Sequence, residues 1–239
     1  MDISKITGVM RKTLPLKYCG AVIVAAGNAS RMGGIDKVMA PINGEPMIVR
    51  TVRTFQNAVA VKEIVIVTRE DLIPKITSLC GKFGKVRAVV VGGKDRAESV
   101  KNGLRMLSKQ VKLAAVQDGA RPLITEAVID RTIRAAHTYG AAAPAIPVKD
   151  TIKVVEGGIV SSTPDRATLK AIQTPQVFDF DLLKAALKKA FEDGAAITDD
   201  CSAVERMGFK VRIVEGDERN IKVTTPMDLK IAELLLEEM

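Results

Sequence analysis

Apolar residues follow two different periods along this chain. Short continuous runs, rich in β-branched residues, recur at positions 22–24, 64–67, 86–91, 113–116, 141–146 and 211–214. A run without polar alternation marks a strand covered on both faces, as in a parallel sheet. Between these runs the period lengthens. Ala97, Val100, Leu104 and Leu107 share one helical face after Arg96, and Val128, Ile129, Ile133 and Ala136 do so between Thr125 and Tyr139. The alternation predicts an α/β fold: a doubly wound, mainly parallel, Rossmann-like sheet whose ligands sit at the carboxyl ends of the strands.

One stretch departs from the alternation. Residues 151–155 and 159–162 read as short strands around Glu156-Gly157-Gly158, which predicts a β-hairpin. A two-stranded ribbon is marginally stable alone, so it should pack on something, and a second subunit is a candidate. The closing helix is well signalled: Thr225 as N-cap, Pro226 at N1 and Asp228 at N3 precede Ile231, Leu234 and Leu235. No internal repeat or low-complexity linker interrupts the chain. The expected organisation is a basic lead-in over 1–17, carrying Lys5, Arg11, Lys12 and Lys17 without an apolar signal-peptide run, then a single domain over 18–239 with an arm at about 148–170.

Composition narrows the chemistry. The net charge of +8 points to anionic partners. Aromatic residues are only 3% of the chain, Trp is absent and the cations are scattered, a poor match to a nucleic-acid surface; multiply charged small substrates explain the charge as well. No run reaches the length needed to span a bilayer. Cys19, Cys80 and Cys201 are odd in number and form no C-x-x-C, and His137 is the single histidine, so neither a disulfide framework nor a zinc site is indicated and a reducing, cytoplasmic setting follows. His137 falls within a helical run and reads as a helix-surface residue.

The segment after the first strand, Ala25-Ala26-Gly27-Asn28-Ala29-Ser30-Arg31-Met32 followed by Lys37, carries the most chemistry. Small side chains let backbone N–H groups approach a polyphosphate, and Arg31 and Lys37 add charge-assisted contacts to phosphoryl oxygens. Neither a Walker phosphate loop nor G-x-G-x-x-G is present, which disfavours NTP hydrolysis and dinucleotide chemistry. An ordinary strand-to-helix turn with two solvated cations has the same local pattern. Asp118 and Arg121 follow the run at 113–116 and so fall at the site edge of the sheet. A carboxylate there repels phosphate unless a cation intervenes, and Mg²⁺ bridging Asp118 and triphosphate oxygens meets that need; a helix cap or a surface Asp–Arg pair is the alternative.

Gly92-Gly93 precede a helix that opens with Arg96 and Ser99, a place for a planar base against bare backbone or simply an exposed turn. Thr198 or Asp199 could be an N-cap of a helix ended by Gly208. Lys222, just before the last helix, is either a further phosphate cation or a solvated lysine.

In order and spacing these segments resemble the 2-C-methyl-D-erythritol 4-phosphate cytidylyltransferases, within the sugar-nucleotide pyrophosphorylase-like nucleotidyltransferases. The resemblance rests on A-A-G-N-A-S-R-M, Gly92-Gly93 to Ser99, Asp118-Gly119-Ala120-Arg121-Pro122, Pro147-Val148-Lys149-Asp150-Thr151-Ile152-Lys153, Gln173-Thr174-Pro175-Gln176, Ile197-Thr198-Asp199 and Asn220-Ile221-Lys222-Val223-Thr224, and runs from about Tyr18 to the end. It implies that 18–239 is a nucleotidyltransferase domain joining CTP to a polyol phosphate in the non-mevalonate isoprenoid route, with a divalent cation and a homodimer formed through the arm.

By resemblance, Arg31, Lys37 and Lys222 are the catalytic cations on the triphosphate. Ala25, Gly93 and Ser99 read cytosine and ribose, within a nucleotide-binding set that also holds Ala26, Gly27, Arg96 and Asp118. Asp118, Arg121, Thr151, Arg166 and Thr198 position the methylerythritol phosphate, Arg166 reaching a neighbouring subunit's acceptor. The chain departs from the commonest family pattern at Ala29, Gln117 and Gly119 and in Asp36-Lys37-Val38. Two other readings stay open: a ribitol-5-phosphate cytidylyltransferase, which shares most of these motifs, and a non-enzymatic polyanion- or RNA-binding protein.

Overall fold

The computed structural model describes residues 15–27 and 36–238. Most of the expected lead-in, and Arg31 with its neighbours at 28–35, lie outside the described residues. The chain begins with β1 (Cys19–Ala25), the small pair β2 (Pro41–Ile42) and β3 (Glu45–Pro46), then α1 (Met47–Asn57), β4 (Val61–Thr68), α2 (Ile73–Cys80), β5 (Val86–Val91) and α3 (Arg96–Met106). It continues through β6 (Leu113–Asp118), α4 (Glu126–Tyr139), β7 (Ala141–Pro147), β8 (Val154–Glu156), β9 (Ile159–Ser162), β10 (Lys170–Ile172) and β11 (Gln176–Asp179). The last part holds α5 (Phe180–Glu192), α6 (Asp200–Glu205), β12 (Arg212–Glu215) and α7 (Pro226–Glu237).

The main sheet runs β10-β7-β11-β6-β1-β4-β5, with β12 on β7. Strands β6, β1, β4 and β5 are parallel neighbours, as the continuous apolar runs require. The sheet is doubly wound. On one face Ala21, Ile23, Ile64 and Ile66 pack under Ile48, Val52, Ile129 and Ile133 of α1 and α4; on the other Val22, Val65 and Val116 meet Val100, Leu104, Leu183 and Leu187 of α3 and α5. Successive residues of β1 therefore point into opposite cores, so that strand has no polar side to show.

Two strands of the main sheet were not foreseen by the run pattern. β11 is wedged antiparallel between β6 and β7, and β10 also pairs antiparallel with β7. Gln176-Val177-Phe178-Asp179 offers only two adjacent apolar residues, too few to stand out as a run.

The parallel register carries several strand ends to one edge, with Val24 opposite Asp118 and Ala25 opposite Thr68. A third apolar cluster, including Ile42, Met47, Leu123, Val223 and Ala232, fixes α7 and the segment before it. Packing begins ahead of position 18: Leu16 rests on the core and Lys17 Nζ lies 3.2 Å from Asp179 Oδ2. The hairpin is present as β8 and β9, which pair only with each other among the described strands. Gly157 and Gly158 turn it with φ of +56° and +83°, the positive angles that a tight hairpin turn demands. Its apolar residues face outward, Ile159 being 75% exposed.

Candidate active site

A pocket of about 460 Å³ opens at the carboxyl ends of β1 and β6 and the start of α3, a volume within the range of small-ligand sites. The small-residue loop contributes Ala25, Ala26 and Gly27; the turn into α3 contributes Gly93, Arg96 and Ser99; Lys37, Asp118 and Lys222 complete the wall. Segments far apart in sequence thus meet as the strand order predicts.

Each wall residue is held by local structure. Lys37 opens a 3₁₀ turn, Lys37–Met39, anchored by buried Val38 and by Asp36, whose carboxylate accepts a hydrogen bond from Arg69 at the end of β4. Ser99 is buried, accepts from the Gly93 N–H at 3.0 Å and donates to the Asp95 carbonyl at 2.8 Å. Asp95 is the N-cap of α3, its carboxylate accepting from the Glu98 N–H at 2.8 Å. The glycine pair has a packing reason besides any ligand: a Cβ on Gly92 would stand 2.4 Å from Ala26 Cβ, and one on Gly93 2.4 Å from Glu98 Cβ.

Asp118 is the electrostatic centre. Its Oδ2 lies 2.8 Å from Lys222 Nζ and 4.0 Å from Arg121 Nε, while its Oδ1 lies 3.4 Å from Arg96 Nε. Burial pushes the Asp118 carboxyl up, but Arg96 and Lys222 outweigh burial and hold it below its ordinary 3.8. Arg96 also gives Nη1 to Asp200 at 2.7 Å. Burial acts on Arg96 too, yet the two carboxylates win and hold the guanidinium charged. For Arg121 burial prevails and lowers it.

Arg121 is correspondingly no open pocket wall. It is buried beside Asp118, with Nη1 donating to the Asn220 carbonyl at 2.6 Å. Of the residues expected on the acceptor side, Thr151 and Arg166 are exposed at the arm, Arg166 Nη1 donating to the Lys149 carbonyl at 2.7 Å. Thr198 is exposed as well, and Asp199 is the N-cap of α6, which resolves the alternative between the two. His137 stands on α4 and does not line the pocket.

Gln173 and Asn220 are the builders that residue-level reasoning missed. Asn220, fully buried, donates from Nδ2 to the Thr174 carbonyl at 3.0 Å, and Gln173 Nε2 donates to the Asp217 carbonyl at 2.8 Å. Thr174 Oγ1 in turn accepts from the Asp118 N–H at 3.1 Å. These amides lock the segment carrying Lys222 to the strand ends beneath Asp118. Their only sequence signal was membership in two of the resembling motifs.

Among the described residues no group of three or more His, Cys, Asp or Glu could hold a metal ion unaided. No described helix is long and apolar enough to cross a membrane.

A doubly wound sheet with a pocket at its strand ends lined by Lys37, Arg96 and Lys222 is the architecture of a nucleotide-binding α/β protein. A family model described as 2-C-methyl-D-erythritol 4-phosphate cytidylyltransferase matches residues 19–238, and the chain belongs to that family. It is 46% identical over 225 residues to the protein of that name from Caldanaerobacter subterraneus subsp. tengcongensis, covering 90% of this chain and 97% of the relative. The Symbiobacterium thermophilum protein of the same name is 45% identical over 219 residues, covering 91% and 92%. The crystal structure of 4-diphosphocytidyl-2C-methyl-D-erythritol synthase from Anaerococcus prevotii superposes with a TM-score of 0.84 at 32% identity, covering 92% of this chain and 96% of that one.

Proposed function

We propose that this protein transfers the cytidylyl group of CTP to 2-C-methyl-D-erythritol 4-phosphate, giving 4-diphosphocytidyl-2-C-methyl-D-erythritol and pyrophosphate. The observation that carries the proposal is the convergence of Lys37, Lys222, Arg96 and Asp118 on one pocket beside the small-residue loop, in a chain of this family. An oxygen of the acceptor phosphate forms a bond to the α-phosphorus as the α–β bridging bond breaks and pyrophosphate leaves. That oxygen is already ionised at neutral pH, so no side chain has to remove a proton; among the described residues, none that lines the pocket is a His or a Cys. Catalysis is then positioning plus charge stabilisation: Lys37 and Lys222, with Arg31, meet the charge on the triphosphate and the pentavalent phosphorus.

Ala25, Ala26 and Gly27 offer backbone to the nucleotide, and Gly93 and Ser99 read base and ribose. Asp118, flanked by Lys222 and Arg96, suits Mg²⁺, which binds through one or two carboxylates together with substrate phosphates. Asp118 is the residue to hold it, and the ion when bound neutralises phosphoryl charge.

Arg121, Thr151, Thr198 and Arg166 serve the acceptor. The exposure of Thr151 and Arg166, together with the outward apolar face of Val155, Ile159 and Val160, supports a homodimer in which the arm of one chain completes the site of another. We take 18–239 as one domain carrying that arm, working in the cytoplasm. The test is pyrophosphate release from CTP and Mg²⁺ with a panel of polyol phosphates. Methylerythritol phosphate should be the preferred acceptor. Preference for ribitol 5-phosphate would redirect the assignment, and salt-sensitive RNA binding without release would overturn it.

A further inference from the structure

Asp200 is 1% exposed and lies behind the pocket wall, at the first position of α6. It is held there by β11: the N–H groups of Asp200 and Cys201 donate to Gln176 Oε1 at 3.0 and 3.1 Å, and Gln176 Nε2 donates to Asp199 Oδ2 at 2.8 Å. A buried carboxylate is costly unless paired, and the partner of this one is a pocket residue, since Asp200 Oδ2 accepts from Arg96 Nη1 at 2.7 Å. That contact is shorter than the 3.4 Å from Arg96 Nε to Asp118.

We infer that Asp200 is a positioning residue for cytidylyl transfer, tethering Arg96 so that Asp118 stays available to Lys222. The inference rests on the functional reading above. A guanidinium presents five donors and turns toward the nearest anion. Untethered, Arg96 would close on Asp118, or on a bound triphosphate, with the Nη1 donor that Asp200 now occupies. Either shift strengthens a ground-state contact and withdraws Asp118 from Lys222, so the reacting groups lose their alignment. The tether also joins the start of α3, on the nucleotide side, to the start of α6, two residues from Thr198 on the proposed acceptor side.

The test is a cycle of four proteins: wild type, Asp200→Asn, Arg96→Gln and the double variant. Asparagine keeps the shape and one acceptor but removes the charge. For Asp200→Asn, kcat should fall roughly ten- to hundredfold, the scale of a charged hydrogen bond, while KM for CTP does not rise. The Asp200 change should matter little once Arg96 is gone, altering kcat less than about twofold in the Arg96→Gln background. Wild-type kcat in folded Asp200→Asn overturns the inference. So does a rise in KM with kcat unchanged, which marks lost binding, or additive losses in the double variant, which mark general damage.

Should Asp200→Asn fail to fold, the comparison of Arg96→Gln with the double variant decides, since neither Asp200 nor Arg96 is charged in the double variant. A further tenfold loss there contradicts the tether. If the wild-type protein itself releases no pyrophosphate, the functional reading fails, and this inference with it.

Discussion

At the scale of single residues, Lys222, Arg96 and Arg121 gather around the Asp118 carboxylate. Lys222 and Lys37 should act on charge that develops during transfer, where one lost donor costs on the order of 10²–10³-fold in rate. Lys222→Ala and Lys37→Ala are each expected to lower kcat by that order, with a smaller change in KM for CTP. Steady-state kinetics checks this, and wild-type kcat in either folded variant refutes the role of that residue. His137→Ala, by contrast, should keep wild-type kcat; a folded but dead variant would show that a general base had been overlooked.

Asp118 gives a pH signature of definite sign. Its carboxyl is held below 3.8, burial being outweighed by Arg96 and Lys222. A depressed carboxyl lends stability that is complete above its unfolded value and lost as pH falls through the folded one. Asp118→Asn leaves three neighbouring cations without their shared anion, a loss of about 3 kcal/mol for a buried pair. Denaturation midpoints of the two proteins should therefore differ by a constant amount above roughly pH 5 and converge below pH 3.8. A gap that instead narrows between pH 5 and 8 would assign the loss to some other group.

At the scale of elements, continuous apolar runs announced the parallel strands and periodic faces announced α3 and α4, because burial on two faces leaves a plain mark on composition. The caps Thr225 and Asp228 were equally legible, and α7 begins where they say. What stayed hidden was structure whose signal lies in pairing. β11 has two adjacent apolar residues and owes its place to neighbours on both sides.

The clamp of Gln173 and Asn220 was hidden for a similar reason: buried amides look like loop polars until their partners are known. Asn220→Ala should cost about 1–3 kcal/mol, since the Gln173 and Thr174 groups lose their partner, and should lower kcat by releasing Lys222. Urea denaturation with parallel kinetics measures both. Loss of stability with kcat intact would confine Asn220 to a structural role.

At the scale of the whole molecule, Ala25, Ala26, Gly27, Lys37, Gly93, Arg96, Ser99, Asp118 and Lys222, all singled out in the sequence, line one pocket, whereas Thr151 and Arg166 stand out on the arm. The proposed homodimer would bring the arm of one chain to the pocket of the other. Mixing inactive Arg166→Ala with inactive Lys37→Ala chains should then restore activity, because a heterodimer keeps one site with both residues intact. Verified heterodimers that stay inactive, or an active native monomer in sedimentation, exclude the shared site.

The most direct measurement follows the phosphorus NMR spectrum of pure protein with CTP, Mg²⁺ and 2-C-methyl-D-erythritol 4-phosphate. The account predicts that the acceptor monophosphate signal disappears as a coupled diphosphate pair and free pyrophosphate appear in equal amounts, in wild type and hardly at all in Lys222→Ala. Unchanged CTP, or cleavage to CMP and pyrophosphate with the acceptor untouched, would contradict it.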